Sequence, residues 1–150
     1  MRGLFTVRAK RSTDMATAAL DTNVVLRLVV PDIPEHHERA RQLITTPGTR
    51  FAVSDYVFVE VVFALDQHYG LTRDQITQII TTFMAWDCIA SHSNKISPAI
   101  EFWRTHPKLS FEDCLMAEDA QANGTVPLWT FDDKLAIQHP AARKVPTVSR

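Results

Sequence analysis

Ala18-Ala19-Leu20-Asp21-Thr22-Asn23 is the stretch whose reading decides the fold. A short apolar run stops abruptly at a carboxylate, a hydroxyl and an amide, and apolar residues resume at Val24-Val25-Leu26. Residues 18–20 read as a short buried strand, too brief to span a sheet with one polar face. Asp21 then stands where that strand stops. In an open α/β sheet, ligands bind in the crevice outside the carboxyl ends of the strands. Asp21 is therefore placed where chemistry would be, and the useful question is which other acids join it.

The 150 residues suit one domain with a normal core. Hydrophobic content of 45% against 22% charged residues is ordinary globular usage and argues against disorder. No apolar run approaches the ~18–20 residues of a membrane span. The two cysteines, Cys88 and Cys114, form no framework pattern and fit a reduced, cytoplasmic protein. None of the six histidines stands at zinc-site spacing from a cysteine or from another histidine. A net charge of −1 gives the whole chain no basic footprint for nucleic acid. Residues 1–14 hold Arg2, Arg8, Lys10 and Arg11 against Asp14, so 12 basic and 16 acidic residues remain without them. This head lacks apolar periodicity and a signal-peptide core. It reads as a disordered extension or a translation start set too early, with a single domain over residues 15–150.

Strand and helix signals alternate along the rest. Val24–Val30 reads as a short helix broken by Pro31 and Pro34. Residues 35–45 read as an amphipathic helix closed by Pro47-Gly48, and Phe51-Ala52-Val53 as the second strand. Ser54 caps the most apolar helix of the chain, Tyr56 to Leu65, which its composition predicts to be buried nearly all round. Thr72-Arg73-Asp74-Gln75 is a capping box for a third helix to Met84, and Cys88-Ile89-Ala90 is a third strand. Ser97-Pro98 predicts a helix start with proline at the first position, running to about His106. Ser110 opens a helix closed by Asn123-Gly124. Val126 to Thr130 is a strand ending in Phe131-Asp132-Asp133, followed by a short helix over 134–138. Val145-Pro146-Thr147-Val148 is expected as an edge strand. The alternation predicts an α/β fold, a mostly parallel sheet covered on both faces.

Four acids recur at element ends or inside an apolar helix: Asp21, Glu60, Asp113 and Asp132. Each has a structural reading. Glu60 fits a narrow exposed stripe paired to a distant arginine, Asp113 completes a capping box from Ser110, and one of Asp132 and Asp133 caps the helix that follows. If the four converge, they cannot all stay ionised unaided, because two unit charges ~4 Å apart cost about 4 kcal/mol at an effective dielectric of about 20. A divalent cation relieves that repulsion, and all-carboxylate ligation selects Mg²⁺ or Mn²⁺ over Zn²⁺. Such ions polarise phosphoryl oxygens and activate water near neutral pH. No Gly-x-Ser-x-Gly, phosphate-cradling glycine loop or catalytic Cys–His pattern competes with this reading.

Leu20-Asp21-Thr22-Asn23-Val24-Val25, Glu60 within an apolar helix, Phe111-Glu112-Asp113-Cys114-Leu115-Met116-Ala117 and Thr130-Phe131-Asp132 together resemble the PIN-domain ribonucleases, and most of all the VapC-type toxins of toxin–antitoxin pairs. The likeness spans about residues 17 to 138. It implies a three-layer α/β/α sandwich with a mostly parallel central sheet and a metal-dependent endoribonuclease activity. It also implies an acidic pocket of Asp21, Glu60, Asp113 and, less uniformly, Asp132, with Thr22, Asn23 and Thr130 orienting the carboxylates. On this reading Asp21 and Asp113 hold Mg²⁺ or Mn²⁺ most directly. Glu60 completes the site and helps to deprotonate the attacking water, and Asp132 serves a second ion or orders water. Asp133 is left as a cap or a solvent-facing residue. Arg27, Arg104 and Lys134 are candidate phosphate contacts. The partners implied are an RNA substrate, a cognate antitoxin and a second copy in a homodimer. The chain departs from many relatives in carrying Ser110 where they have an acid and Glu112 where they have a small residue, which leaves the acid count of the pocket open. An aspartyl-phosphate enzyme is the rival chemistry, but Asn23 stands where its second aspartate belongs. A catalytically inactive PIN-like scaffold is the non-enzymatic alternative.

Overall fold

The computed structural model describes residues 16–149, so the reading of residues 1–14 as an extension lies outside them. The described residues gather into two compact units, one ending at His92 and the other beginning at Ser93.

In the first unit, strand β1 (Ala18–Ala19) leads into helix α1 (Thr22–Val29) and helix α2 (Pro34–Ile44). Strand β2 (Phe51–Ala52), helix α3 (Asp55–Gln67), helix α4 (Arg73–Met84) and strand β3 (Ile89–Ala90) follow. The strands pair in the order β1-β2-β3, all parallel, with Ala18 opposite Phe51 and Phe51 opposite Ile89. Parallel pairing needs a crossover between successive strands, and the helices supply it. Pro34 does not merely break what precedes it: it is the first residue of α2, where its missing N–H costs nothing. Thr72 and Gln75 form the expected reciprocal capping box of α4. The core of this unit gathers Val25, Phe58, Val61, Leu65, Ile76, Ile80 and Phe83, with Phe58 and Phe83 meeting edge to face at 6.2 Å. Helix α3 is less enclosed than its composition predicts. Tyr56 and Phe63, seven residues apart and so on one stripe, are 70% and 61% exposed. Beyond α1, Asp32 accepts from Arg27 Nη1 at 2.8 Å and from the Tyr69 hydroxyl at 2.9 Å. Burial alone would raise the Asp32 carboxyl, but the Tyr69 hydrogen bond and the Arg27 guanidinium outweigh it and hold that carboxyl below its usual range.

The second unit begins with helix α5 (Ser93–Thr105), packed closely on helix α6 (Phe111–Ala122). Strand β4 (Leu128–Thr130), helix α7 (Asp133–Gln138) and strand β5 (Ala142–Lys144) complete it, with β4 and β5 parallel. Two expectations need correcting here. Helix α5 starts at Ser93, not at Ser97, and carries Pro98 inside it. Its buried residues Ile96, Ala99, Ile100 and Trp103 follow helical spacing, so the helix must already exist at Ile96 to present that face. The burial of Ile96 outweighs the one backbone hydrogen bond that Pro98 cannot donate. The last strand is Ala142–Lys144, not Val145–Val148. The Leu128 N–H donates to Ala141 O at 2.7 Å and the Val145 N–H to Thr130 O at 2.9 Å. These bonds set the register on the residues before Pro146, which has no N–H to extend the ladder.

Candidate active site

Asp21 stands at the end of β1, as the sequence predicts, although this edge strand leaves Ala18 and Ala19 exposed and buries only Leu20, and Asp21 has a second duty that the sequence reading missed. Its backbone is extended and its Oδ1 accepts from the Val24 N–H at 3.0 Å, so Asp21 is the N-cap of α1. Strand β1 is anchored up to that point by the Leu20 N–H donating to Ala52 O at 3.0 Å. Thr22, the first residue of α1, donates its hydroxyl to Glu60 Oε1 at 2.5 Å. That bond joins α1 to the middle of α3 across 38 residues of sequence. Glu60 is half-buried and has no cation partner among the described residues. The alternative reading of Glu60, a carboxylate paired to a distant arginine, therefore does not hold. Asn23 is exposed and makes no hydrogen bond among the described residues. It lines a groove of about 650 Å³ with Arg27, Arg39, Ile33 and Leu43.

Thr22→Val removes the donor and keeps the shape. It is expected to destabilise the chain by about 1–3 kcal/mol in urea unfolding, because the Glu60 carboxylate is left half-buried without its partner, whereas Thr22→Ser should be close to neutral. An unchanged midpoint in Thr22→Val would show that the bond carries no weight.

In the second unit, Ser110 caps α6 by accepting the Asp113 N–H on Oγ at 3.1 Å. The reciprocal half of a capping box is missing: no hydrogen bond reaches the Asp113 carboxylate among the described residues, in contrast to Gln75 in α4. Capping therefore accounts for Ser110 but not for the acid at position 113. Thr130 Oγ1 accepts the Asp132 N–H at 2.9 Å and so fixes the turn that presents Asp132. Asp132 Oδ1 accepts from the Lys134 N–H at 2.8 Å and the Leu135 N–H at 3.2 Å, so Asp132, and not Asp133, is the N-cap of α7. Asp133 faces solvent and pairs with Lys144. Of the candidate phosphate contacts, Arg27 is paired with Asp32 and Arg104 with Glu101. Lys134 has no ion pair among the described residues.

Asp21, Glu60 and Asp132 thus each commit one oxygen to a protein hydrogen bond and leave the other open, while Asp113 commits neither. A set of open, hard carboxylate oxygens suits Mg²⁺ or Mn²⁺ in kind. Within neither unit do three His, Cys, Asp or Glu side chains among the described residues form a cluster able to hold a metal ion. The structure brings Thr22 and Glu60 together beside Asp21 in the first unit, and Thr130 together with Asp132 in the second.

Sequence reasoning overlooked one buried polar centre. His139, 2% exposed, meets Glu118 Oε2 through Nε2 at 2.6 Å and accepts the Ala141 N–H on Nδ1 at 3.0 Å. Its ring stacks on Phe102, which stacks in turn on His106. The only signal in the sequence is a histidine directly after a helix and before a proline, which has many other readings.

No helix among the described residues is long and apolar enough to cross a membrane. No curated protein matches the chain. The PIN domain family matches it over residues 18–138, a span that contains all four acids and reaches into both units. PIN domains are generally metal-dependent nucleases, with Mg²⁺ or Mn²⁺ the usual ion. The matched span carries an Asp at the end of the first parallel strand, a Glu held by a threonine and acids at the starts of α6 and α7, and the chain belongs to the PIN-domain family.

Proposed function

We propose that this chain is a metal-dependent endoribonuclease acting as the toxin of a toxin–antitoxin pair, and that Asp21, Glu60, Asp113 and Asp132 are its working acids. The observation that carries the reading is the Thr22–Glu60 bond. Glu60 is a half-buried carboxylate without a cation among the described residues, held through Thr22 next to the acid that ends β1 and with its second oxygen open, as a metal ligand requires. Asp21, Asp113, Glu60 and Asp132 would hold Mg²⁺ or Mn²⁺, which when bound supplies Lewis acidity toward the phosphodiester and lowers the pKa of water. The protein's own share is orientation. The α1 cap fixes one oxygen of Asp21, Thr22 fixes one oxygen of Glu60, and the Thr130 turn fixes the backbone of Asp132. Glu60, with its second oxygen open, is the group suited to accept a proton from the attacking water. Asn23, two residues after Asp21 and free of hydrogen bonds among the described residues, is the further group suited to orient these carboxylates. The chain works in the cytoplasm as a homodimer restrained by its antitoxin, with surplus apolar surface on α3 at Tyr56 and Phe63 available to such interfaces.

The test is cleavage of structured and single-stranded RNA by purified protein in Mg²⁺ or Mn²⁺ against EDTA. Metal-dependent internal cuts are the expected result. A folded protein whose thermal stability does not respond to Mn²⁺ and which cuts nothing would favour an inactive PIN-like scaffold, since a ligand at a hundredfold excess over Kd adds about 2.7 kcal/mol.

A further inference from the structure

The surface around β4 carries aromatic rings and cations that the proposed chemistry does not use. Trp129 is 51% exposed and Phe131 78%, with half-buried Thr130 between them, so the alternation of the strand continues one residue past its end. Phe131 is not on a slack loop. The Thr130 Oγ1 bond to the Asp132 N–H and the Val145 N–H bond to Thr130 O pin the turn on which it sits. A fixed phenyl ring in water forgoes most of the roughly 1.5–3 kcal/mol that its burial would contribute. Across the β4–β5 ladder, Arg143 is the register partner of Trp129, with its guanidinium 5.9 Å from the ring centroid. Neither Arg143 nor Lys134 has an ion-pair partner among the described residues, whereas Lys144 is taken by Asp133. The acids of this surface are Asp132, partly used as a cap, and the paired Asp133.

We propose that Trp129, Phe131, Arg143 and Lys134 form a stacking platform that grips single-stranded RNA. The inference rests on the ribonuclease reading and deepens it, by naming how the substrate is held. Single-stranded nucleic acid is bound by aromatic faces for the bases and cations for the backbone, and unpaired bases are what such rings can reach. Phe131 adjoins Asp132, so a base stacked on it keeps its own phosphodiester beside one of the four acids. Arg143 and Lys134 place positive charge beside the rings in a chain whose net charge is −1. Duplex RNA, whose bases are already stacked, cannot use the rings.

The platform is tested by fluorescence anisotropy of a labelled, unstructured RNA dodecamer with the full chain in EDTA, where binding is read without cleavage. Phe131→Ala and Trp129→Ala should each weaken binding by roughly five- to a hundredfold. Phe131→Leu should lose nearly as much, while Phe131→Tyr keeps the affinity, because a ring and not mere apolarity is required. Arg143→Ala and Lys134→Ala should each lower the slope of log affinity against log salt by about 0.7. Wild-type affinity in Phe131→Leu and Phe131→Ala, or equal affinity for a duplex of the same length, overturns the platform. A changed oligomeric state in Phe131→Ala with RNA affinity untouched also overturns it, and makes the patch a protein interface. Metal-dependent cleavage with wild-type binding in the ring variants would leave the nuclease standing and the platform refuted. Ring-dependent binding without any cleavage in Mn²⁺ would support the platform and count against the nuclease.

Discussion

Asp21→Asn is expected to lower metal-dependent RNA cleavage by at least about a hundredfold while leaving the fold intact. Partners that only orient a metal ligand already cost about 10–100-fold when removed, and Asp21 is proposed as a ligand itself. The substitution is clean because of the second duty of this residue. Asp21 Oδ1 caps α1 through the Val24 N–H, and an asparagine carbonyl accepts that bond equally well. Stability should therefore stay within about 0.5 kcal/mol of wild type, while the anionic charge proposed to hold the ion is lost. Asp21→Ala would confuse the two effects, since losing the cap costs about 1 kcal/mol on its own. Cleavage rates and urea midpoints measured side by side decide the matter. Full activity in a folded Asp21→Asn protein would remove Asp21 from the chemistry and, with it, the main reason for placing the site at the end of β1.

The largest stability effect should come from His139, which no functional reading called for. His139→Ala is expected to destabilise the chain by about 2–4 kcal/mol in chemical denaturation. Three losses combine. The cavity opens beside Phe102, on which the ring stacks at 4.5 Å. The Ala141 N–H loses its acceptor at the start of the last strand, and the Glu118 carboxylate, 15% exposed, loses its donor. Because Nδ1 accepts from Ala141, the proton sits on Nε2 and points at Glu118, so the neutral ring satisfies both neighbours at once. Asparagine can reproduce the first contact and glutamine the second, so His139→Asn and His139→Gln should each recover part of the loss. A double-mutant cycle with Glu118→Gln isolates the side-chain pair. A loss below about 1 kcal/mol for His139→Ala would mean that the surroundings close over the gap.

The same contrast separates what could be read in the chain from what could not. Capping signals are local, so Ser54, Thr72 and Ser110 were legible, each an oxygen three residues before the N–H it accepts. Asp21 was legible as an acid at a strand end, but its capping was overlooked because a functional reading already accounted for it, whereas a cap from Asp132 or Asp133 was legible and only the choice of Asp132 was left to the structure. The start of α5 was misjudged for the opposite reason. Ser97-Pro98 is a strong local start signal, and it is overruled by the burial of Ile96, which depends on packing against distant residues. The shift of the last strand to Ala142–Lys144 has the same origin, since its register is set by bonds to Ala141 and Val145 from elsewhere in the chain.

By itself the sequence determined the α/β class, the parallel pairing implied by strands that alternate with helices, and the family to which four acids in order assign the chain. These follow from periodicity and spacing, which neighbouring residues carry. Only the tertiary structure decided that Glu60 takes its hydrogen bond from Thr22 and no cation, that the Asp113 carboxylate is left out of the α6 cap, and that Tyr56 and Phe131 face water. It also decided that His139 is the buried polar hub of the second unit. Those outcomes depend on which side chains meet across tens of residues, and no local pattern encodes such a meeting.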